Sequence, residues 1–461
     1  MLSKAGLYAR IAGYMFVIIG EELSYIFSKA AVRLRARLFG SIDPAQRDRT
    51  IVIVGASFAG HHVARLVAGQ LSPQSRYRVV VIEPNSHFQF TWVLPRFCVV
   101  KGHEEKAFIP YGRYASSLPG VLEWIQDRVV SIDKTHVRLA KGLDPIQYDY
   151  LVLATGSGVK TGLPSRVNAT EKSAGVELIR DVQRGIETAK TVVVVGGGAA
   201  GMEVATDAKD LYPDKNIILV HSRPAVMHRF GKRLQDEAMQ ALKRLGVEVI
   251  LEDRVVDEDP AAKKVTLRSG REISCDYFVS PSLTPSSFSL ALSEIWRCSS
   301  RPRHHQVNCT GQAPCSQVLA SVSPNSISPN GYIKVKPTLQ VADEELSHVY
   351  ACGDVADTET PCPNARSALR QATTVARNVL RAVDGKEPKY EYRSHWADTF
   401  IKLTLGLDRS TTFMGDGHKD LMFRAKEKNI TLMVKQTWAR LGQTPYEDKY
   451  DGKEGEEVKL E

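Results

Sequence analysis

Short apolar runs alternate with helical patterns along most of this chain. Residues 51–54 (IVIV) and 191–195 (TVVVV) are continuous β-branched stretches, typical of strands that are buried on both faces of a parallel sheet. A glycine-rich turn, a helical pattern and a second apolar run follow each stretch, and the second runs are residues 77–82 and 216–220. This repeated order predicts an α/β fold with two Rossmann-like dinucleotide-binding domains and a C-terminal α+β region.

The first glycine-rich turn consists of six consecutive residues, Gly55, Ala56, Ser57, Phe58, Ala59 and Gly60. It follows the GxGxxG pattern, with Ser57 at the middle glycine. The glycines permit a tight turn and close helix–strand packing, and a small middle residue lets the backbone approach a pyrophosphate. Glu83 ends the next strand, where a carboxylate accepts hydrogen bonds from both ribose hydroxyls of an adenosine. A glycine turn without ligand is the alternative, but the complete pattern favours a dinucleotide site.

The second glycine-rich turn carries the full fingerprint, with Gly196, Gly198 and Gly201 at the glycine positions. Its second strand ends on His221, and Arg223 follows two residues later. There is no carboxylate at this position to hold a ribose 2′-hydroxyl or to repel a 2′-phosphate, and an arginine can pair with that phosphate. We therefore expect NAD(P)H at this site, with NADPH accepted at least as well as NADH.

Composition and charge narrow the class of protein. The chain has 461 residues, 25% of them charged and 43% hydrophobic, which is typical of a soluble globular protein of two or three domains. The formal net charge of +9 is spread along the chain, so we do not expect nucleic acid as the main ligand. Anionic lipid or a phosphorylated cofactor fits a diffuse excess better.

The seven cysteines form no CxxC pair. This spacing argues against a disulfide scaffold, against a structural zinc site and against a flavoenzyme that relays electrons through a redox disulfide. We expect no metal site.

Residues 1–49 differ in composition from the rest of the chain. Residues 11–20 are apolar but too short to span a bilayer, and Glu21 and Glu22 interrupt the pattern before Lys29 and several arginines. Three interpretations remain open: a mitochondrial targeting helix, an interfacial helix lying on a membrane, and a helix packed on the protein's own surface.

Two further motifs make a family resemblance specific. Residues 148–156 (YDYLVLATG) resemble the strand and ATG turn that leave the FAD domain of two-dinucleotide flavoproteins, and residues 349–354 (VYACGD) resemble their second FAD motif. Together with the stretch from Gly197 to Arg223 and the tail KQTWARLGQTP, the chain is similar to the ferroptosis-suppressor group of apoptosis-inducing-factor homologues, which are close to type II NADH dehydrogenases. The resemblance covers nearly all of residues 50–446.

The resemblance implies roles for particular residues. It implies FAD contacts for Arg96, Val130, the turn residues Thr155 and Gly156, and the pair Gly353 and Asp354, with Asp354 on the ribityl chain. It places Glu203 beside the nicotinamide and flavin rings as a catalytic candidate, whereas the plainer interpretation is an exposed helix residue. A lysine that some relatives carry near the flavin is absent, and Cys362 lies in that stretch instead.

The resemblance also implies a domain order and an activity. We expect a targeting or membrane-surface helix, the first half of the FAD-binding domain, the NAD(P)H-binding domain, the second half of the FAD-binding domain and a C-terminal domain, over residues 1–49, 50–165, 166–311, 312–395 and 396–461. The implied activity is hydride transfer from NAD(P)H to FAD and on to a quinone-type acceptor, at a membrane surface. We expect a mitochondrial or membrane-associated location, with the cytoplasmic face of a membrane as the alternative.

Other functions remain open. One alternative is a redox-sensing flavoprotein of low turnover, and another is a reductase of a soluble protein acceptor. Sulfide:quinone reduction would need two cysteines flanking the flavin, for which Cys309 and Cys352 are the candidates. The oligomeric state does not follow from the sequence.

Residues 279–306 interrupt the NAD(P)H-binding domain. They lack periodicity and carry clustered Ser, Pro, Arg and His, and a loop of this length without structure is uncommon in a compact domain. Joining Phe278 to Val307 restores the strand and a Thr310–Gly311 turn of the resembled family. The segment is a retained intron of the gene or a disordered surface insertion.

The intron hypothesis predicts transcripts that lack these codons. The segment is 306 − 279 + 1 = 28 codons long, so its removal keeps the reading frame. The codons for Val279 and Ser280, at the start of the segment, can form a splice donor site. The codon for Gln306, at its end, can form a splice acceptor site. Sequencing of the transcript decides, and an mRNA population that uniformly contains the codons would refute the hypothesis.

Overall fold

The computed structural model describes residues 2–111, 118–159, 163–259, 261–279, 312–415 and 419–448. The described α-helices, in chain order, are α1 (Leu2–Phe39), α2 (Phe58–Ala68), α3 (Leu94–Phe97), α4 (Lys172–Thr188), α5 (Ala199–Leu211), α6 (Lys232–Leu245), α7 (Gln317–Ala320), α8 (Ala365–Val383) and α9 (Val434–Arg440).

The strands of the first half are β1 (Arg49–Val54), β2 (Tyr77–Ile82), β3 (His87–Gln89), β4 (Phe108–Pro110), β5 (Leu122–Ile125), β6 (Val129–Ile132), β7 (His136–Leu139), β8 (Ile146–Gln147), β9 (Tyr150–Leu153), β10 (Ser157–Val159), β11 (Thr191–Val195) and β12 (Asn216–Val220). Those of the second half are β13 (Glu248–Ile250), β14 (Val255–Asp259), β15 (Lys264–Leu267), β16 (Glu272–Ser274), β17 (Tyr277–Val279), β18 (Gln312–Pro314), β19 (Ile333–Lys334), β20 (Val349–Ala351), β21 (Ala356–Asp357), β22 (Ile401–Thr404), β23 (Arg409–Gly415) and β24 (Asp420–Lys426).

The first sheet is parallel and has the order β20-β9-β1-β2-β5. Val52 of β1 is paired with Val80 on one side and Leu151 on the other. One face of the sheet packs against α2 and α8, and the other packs against the antiparallel sheet β6-β7-β8. Because both faces are covered, β1 is a continuous apolar run, as its sequence predicts.

The second sheet is also parallel, with the order β13-β12-β11-β17. Helices α5 and α6 cover one face, and the antiparallel sheet β14-β15-β16 covers the other. The predicted α/β fold with two Rossmann-like units is therefore confirmed. The strand expected around residues 276–278 is β17, whereas the segment after it, including the Thr310–Gly311 turn, lies outside the described residues.

The C-terminal region forms the antiparallel sheet β22-β23-β24, followed by α9. Leu403, Leu405 and Phe413 pack into the same core as α5 and α6, while Trp438 of α9 packs with Phe97 of α3. These apolar side chains of the C-terminal region are therefore part of the core. The C-terminal sheet rests directly on the second Rossmann unit and α9 on the first, so this region joins both.

Helix α1 corrects one expectation about the N-terminal segment. It runs for 38 residues without a break, and by length and composition alone Tyr8–Phe39 is long and apolar enough to cross a membrane. The expectation that the apolar run ends too early to do so is wrong. Glutamate is a good helix former, so Glu21 and Glu22 continue the helix, and they pair with Arg377 and Arg65 of the protein body.

Candidate active site

The first glycine turn links β1 to α2 in a geometry that only glycine accommodates at two positions. Gly55 has a φ of +93°, and a Cβ there would lie 2.5 Å from the Ala154 oxygen. A Cβ on Gly60 would lie 1.8 Å from the Gly55 oxygen, so α2 packs directly on the turn. These are the two steric demands that the fingerprint predicts.

The N-terminus of α2 is open to an anion. Ser57 is the N-cap residue, and its side chain makes no cap hydrogen bond within the described residues. The backbone N–H groups of the first turn therefore lack a side-chain acceptor, and the helix dipole adds partial positive charge there. A pyrophosphate fits this end of the helix, so the local structure suits FAD. Ala56 is buried, and Phe58 packs edge-on against Phe88.

Glu83 is buried at the end of β2 and already has protein donors. Its Oε2 accepts a hydrogen bond from the Ala56 N–H at 2.6 Å. Its Oε1 accepts two hydrogen bonds from Asn85, from the backbone N–H at 2.9 Å and from Nδ2 at 2.6 Å. Burial raises the pKa of Glu83, although these bonds oppose the rise. A carboxylate offers about four acceptor positions, so room remains for one ribose hydroxyl, and a second must replace an Asn85 donor.

The second FAD motif lies against the first. Gly353 has a φ of +79°, and a Cβ on it would lie 3.1 Å from the Ala59 Cβ. Its N–H donates to Gln371 Oε1 of α8 at 2.7 Å. Asp354 follows, half-buried, and accepts a hydrogen bond from Arg166 Nη2 at 3.1 Å. No sequence motif points to Arg166, because it stands in a loop far from Asp354 along the chain.

The ATG turn is held by the strand that returns from the second Rossmann unit. Thr155 Oγ1 donates to the Cys315 oxygen at 2.7 Å, and the Cys315 N–H donates to the Gly156 oxygen at 2.9 Å. Strands β10 and β18 pair antiparallel beside this turn. Ser157 Oγ lies 3.4 Å from Asp354 Oδ2, so the ATG turn and the second FAD motif are brought together.

Two residues that the resemblance assigns to FAD lie in different surroundings. Val130 is 54% exposed, at a register shift between β6 and β7, which leaves its backbone outside the regular ladder. Arg96 is buried in α3 and binds protein groups, as described below. Their contacts with FAD remain predictions.

The second glycine turn repeats the geometry of the first. Gly196 has a φ of +109°, and a Cβ on Gly201 would lie 1.9 Å from the Gly196 oxygen. Gly198 is the N-cap residue of α5, and as a glycine it brings no side chain to the cap. The N-terminus of α5 is therefore as open to a pyrophosphate as that of α2.

His221 supports this turn from the end of β12. Its Nδ1 accepts a hydrogen bond from the Gly197 N–H at 3.0 Å, which places the ring proton on Nε2. A Cβ on Gly197 would lie 2.9 Å from the imidazole ring, so this contact requires the glycine. Burial, together with the charges of His228 and Arg223, lowers the pKa of His221 to about 4, so the ring is neutral at neutral pH.

The Nε2 atom of His221 is buried and makes no hydrogen bond within the described region of the chain. A buried donor without an acceptor is costly, so a ligand atom that accepts from it is favoured. Arg223 is exposed two residues later. A neutral donor and an exposed cation beside the end of β12 suit a ribose that carries either a hydroxyl or a phosphate.

Glu203 is 4% exposed on α5, which contradicts the interpretation of it as an exposed helix residue. Its Oε1 accepts hydrogen bonds from the Thr404 N–H at 3.1 Å and the Thr404 hydroxyl at 3.2 Å. Burial raises the pKa of Glu203 to about 8; the charge of Asp207 adds to the rise, and the Thr404 bonds oppose it. Glu203 is therefore mainly a neutral acid at neutral pH. Its position relative to the nicotinamide and flavin rings remains a prediction.

Asp207 lies one helical turn after Glu203 and pairs with Arg96. The Arg96 Nε donates to Asp207 Oδ2 at 2.6 Å, and both side chains are buried. Nη2 of Arg96 also donates to the Gly406 oxygen at 3.0 Å, in the loop after β22. Burial raises the pKa of Asp207 to about 6 against the effect of Arg96, so Asp207 is ionised at neutral pH.

Helix α8 begins directly after Asn364. Asn364 caps it, accepting hydrogen bonds from the N–H groups of Arg366 and Ser367. The cap occupies part of the N-terminal end of α8. Its N–H groups are therefore less available to a negative charge than those of α2 and α5.

The cysteines that the structure describes are free, namely Cys98, Cys275, Cys315, Cys352 and Cys362. Burial raises the pKa of Cys352 to about 12, so its thiol is a poor nucleophile. Cys309 lies outside the described residues. Across the described ranges, no group of three or more His, Cys, Asp or Glu side chains is arranged to hold a metal ion.

Comparisons with known proteins agree with this site. The sequence profile of the family described as pyridine nucleotide-disulphide oxidoreductase matches residues 49–280. The chain is 30% identical to Fe-regulated protein 8 of Mycosarcoma maydis over 428 residues, which cover 86% of this chain and 96% of that protein. It is 26% identical to ferroptosis suppressor protein 1 of Mus musculus over 406 residues, 86% of this chain and 96% of that protein.

A solved structure shares the fold. The sulfide:quinone oxidoreductase of the bacterium Aquifex aeolicus matches with a TM-score of 0.63 and 17% identity, over 85% of this chain and 90% of that one. At this identity the likeness concerns the architecture of the chain.

From the surroundings of His221 we predict how replacement of Arg223 changes the use of NADPH and NADH. Arg223→Ala should lower kcat/KM for NADPH by about ten- to a hundredfold, because a charged hydrogen bond to the 2′-phosphate contributes about 1.5–3 kcal/mol. NADH should be little affected. Steady-state kinetics with both coenzymes measures this, with Arg271→Ala, an exposed arginine on the same domain, as the control. A wild-type preference for NADH of about a hundredfold in kcat/KM would contradict the account.

Proposed function

The chain belongs to the pyridine nucleotide-disulphide oxidoreductase family, in the ferroptosis-suppressor group, and from this membership we propose that it passes electrons from NAD(P)H through FAD to a quinone-type acceptor. The family membership makes it an FAD-dependent NAD(P)H oxidoreductase, and the quinone is the proposed acceptor. When bound, FAD takes two electrons from NAD(P)H and hands them on to the acceptor.

Each cofactor has its own set of residues in this proposal. The first glycine turn, Glu83 and Asp354 would hold FAD, and the second glycine turn, His221 and Arg223 would hold NAD(P)H. These side chains bind and orient rather than react, since hydride transfer depends on stacked rings and the exclusion of water. Arg166 holds Asp354 in place from the neighbouring loop.

The observation that carries the quinone proposal is the neutral acid Glu203. The reaction NAD(P)H + H⁺ + quinone → NAD(P)⁺ + quinol consumes one proton besides the transferred hydride. Glu203 is buried with a pKa of about 8, and within the described residues its second oxygen makes no hydrogen bond, so it can hold and donate that proton. An acceptor that takes electrons alone has no use for such a group.

A surface feature also supports the acceptor class. Helix α1 exposes large apolar side chains along its length, as suits a protein that works at a membrane surface where hydrophobic quinones dissolve. Mitochondrial membranes and the cytoplasmic face of other membranes are both compatible with this surface.

Turnover with a short-chain ubiquinone tests the proposal. FAD-loaded protein should oxidise NADPH steadily with this acceptor, both as the full chain and with residues 279–306 removed. Glu203→Gln should lower the quinone-dependent kcat by about a hundredfold, because it removes a general acid, while the reduction of FAD by NADPH continues.

The pH dependence of quinone turnover provides a second test of the role of Glu203. Because Glu203 is protonated below its pKa, wild-type quinone turnover should fall as the pH rises through about 8. Glu203→Gln should lack this descending limb, and Glu272→Gln, an exposed change on β16, should keep it. A stable complex of the reduced flavoprotein that does not turn over would contradict the proposal and favour a redox sensor. Turnover only with a soluble protein acceptor would also contradict it and would favour a protein reductase.

A further inference from the structure

Helix α1 has two faces of opposite character. The inner face is buried or half-buried and recurs every three or four residues, which places it on one side of the helix. Its members are Ile11, Tyr14, Ile18, Glu21, Glu22, Tyr25, Ser28, Lys29 and Val32. The other residues from 15 to 38, apart from Ala36, are exposed.

The inner face is fixed to the first Rossmann unit in the middle of the helix. Arg65 of α2 donates to both carboxylate oxygens of Glu22 at 2.8 Å, and its backbone oxygen accepts from the Tyr25 hydroxyl at 3.2 Å. Glu21 pairs with Arg377 of α8 at 3.3 Å. Tyr25 is buried in the same core as α2, so this contact combines charge and apolar packing.

The N-terminal end of the helix is fixed at a second place. The ring of Tyr14 stacks on His395 with centroids 5.1 Å apart, and the Arg10 guanidinium lies 5.0 Å from the ring centre of Trp396. The two attachment points lie on opposite sides of the helix midpoint. The helix therefore lies along the protein surface instead of projecting from it.

The outer face of α1 is apolar, which is the reverse of the usual pattern for a surface helix. Phe16 is 75% exposed and Phe27 is 69% exposed. Other large apolar residues follow the same stripe at helical spacing, namely Ile19, Leu23, Ile26, Leu34 and Leu38. A contiguous exposed stripe of this kind marks a surface that binds something apolar.

We propose that α1 lies in the plane of an anionic lipid bilayer, with this outer stripe, residues 16–38, in the headgroup region. A helix attached to the body at both Tyr14 and Glu22 cannot also pass through the bilayer, although its length and composition would allow a span. Arg33, Arg35 and Arg37 are exposed on the last turns, and the formal net charge is +9, so negatively charged headgroups are the complementary surface.

The same contacts join the bilayer to the site, a consequence that rests on the proposed function. Trp396, which Arg10 covers, begins the short helical turn Trp396–Thr399. The backbone oxygen of Asp398 in that turn accepts a hydrogen bond from the side chain of Asn364, the cap of α8. A quinone dissolved in the bilayer would reach the protein beside the N-terminal end of α8, which packs with α2 on the sheet of the first Rossmann unit.

Vesicle flotation of the full-length protein tests the membrane contact. Wild-type protein should float with vesicles of phosphatidylcholine and phosphatidylserine, and less with phosphatidylcholine alone. The double variant Phe16→Glu/Phe27→Glu should bind the vesicles at least about tenfold more weakly, because the favourable free energy of moving two aromatic side chains from water into the bilayer is lost. The matched control Leu143→Glu/Val256→Glu alters residues that are 56% and 57% exposed elsewhere, and it should float like the wild type.

Equal vesicle binding of the Phe16→Glu/Phe27→Glu variant and the wild type would overturn the proposal. The proposal would also be overturned if the wild type forms a dimer without lipid and this variant does not, because a second copy of the chain would then cover the stripe. Unchanged FAD absorbance of the variant shows that it is folded. Turnover should fall with a long-chain quinone in vesicles and stay unchanged with a water-soluble quinone. If the wild type reduces neither quinone, the proposed function fails while flotation still decides the membrane contact.

Discussion

The buried ion pair between Arg96 and Asp207 holds the three regions of the site together. Arg96 belongs to the first Rossmann unit, Asp207 to the nucleotide-binding helix of the second, and the Gly406 oxygen, which also accepts from Arg96, to the C-terminal sheet. Taking two charges out of water is expensive, and removal of one partner from such a pair costs about 3–5 kcal/mol. The pair therefore fixes how α5, which begins at the second glycine turn, is oriented toward the FAD-binding half.

The same pair sets the protonation of its neighbour. Two buried carboxyl groups stand one turn apart on α5, and among the described residues only Asp207 forms an ion pair, with Arg96. Asp207 keeps its charge because Arg96 is beside it, and that negative charge helps to keep Glu203 protonated. A structural ion pair and a candidate proton donor thus belong to one electrostatic arrangement, and Thr404 connects it to the C-terminal sheet.

The sequence predicts what depends on neighbouring residues and misses what depends on distant ones. Gly55 and Gly196 could be identified because a tight turn demands glycine within a short motif. Arg166, Asp207 and Thr404 carry no such signal, since their partners lie many residues away. Arg96 shows the limit of a family resemblance, which assigns it to FAD and says nothing of Asp207. The ion pairs of Glu21 and Glu22 are equally invisible in the sequence, because their arginine partners come from α8 and α2.

Stopped-flow and steady-state kinetics of Asp207→Asn test the central claim most directly. The variant removes the negative charge beside Glu203, while the positive charge of Arg96 stays. The remaining charge favours the ionised form of Glu203, so the pKa of Glu203 should fall. With FAD still bound, the descending limb of quinone turnover should move from about pH 8 to lower pH, and the reduction of FAD by NADPH should slow. Asp236→Asn, an exposed change on α6, should alter neither. An unshifted limb together with an unchanged rate of FAD reduction in Asp207→Asn would contradict the account.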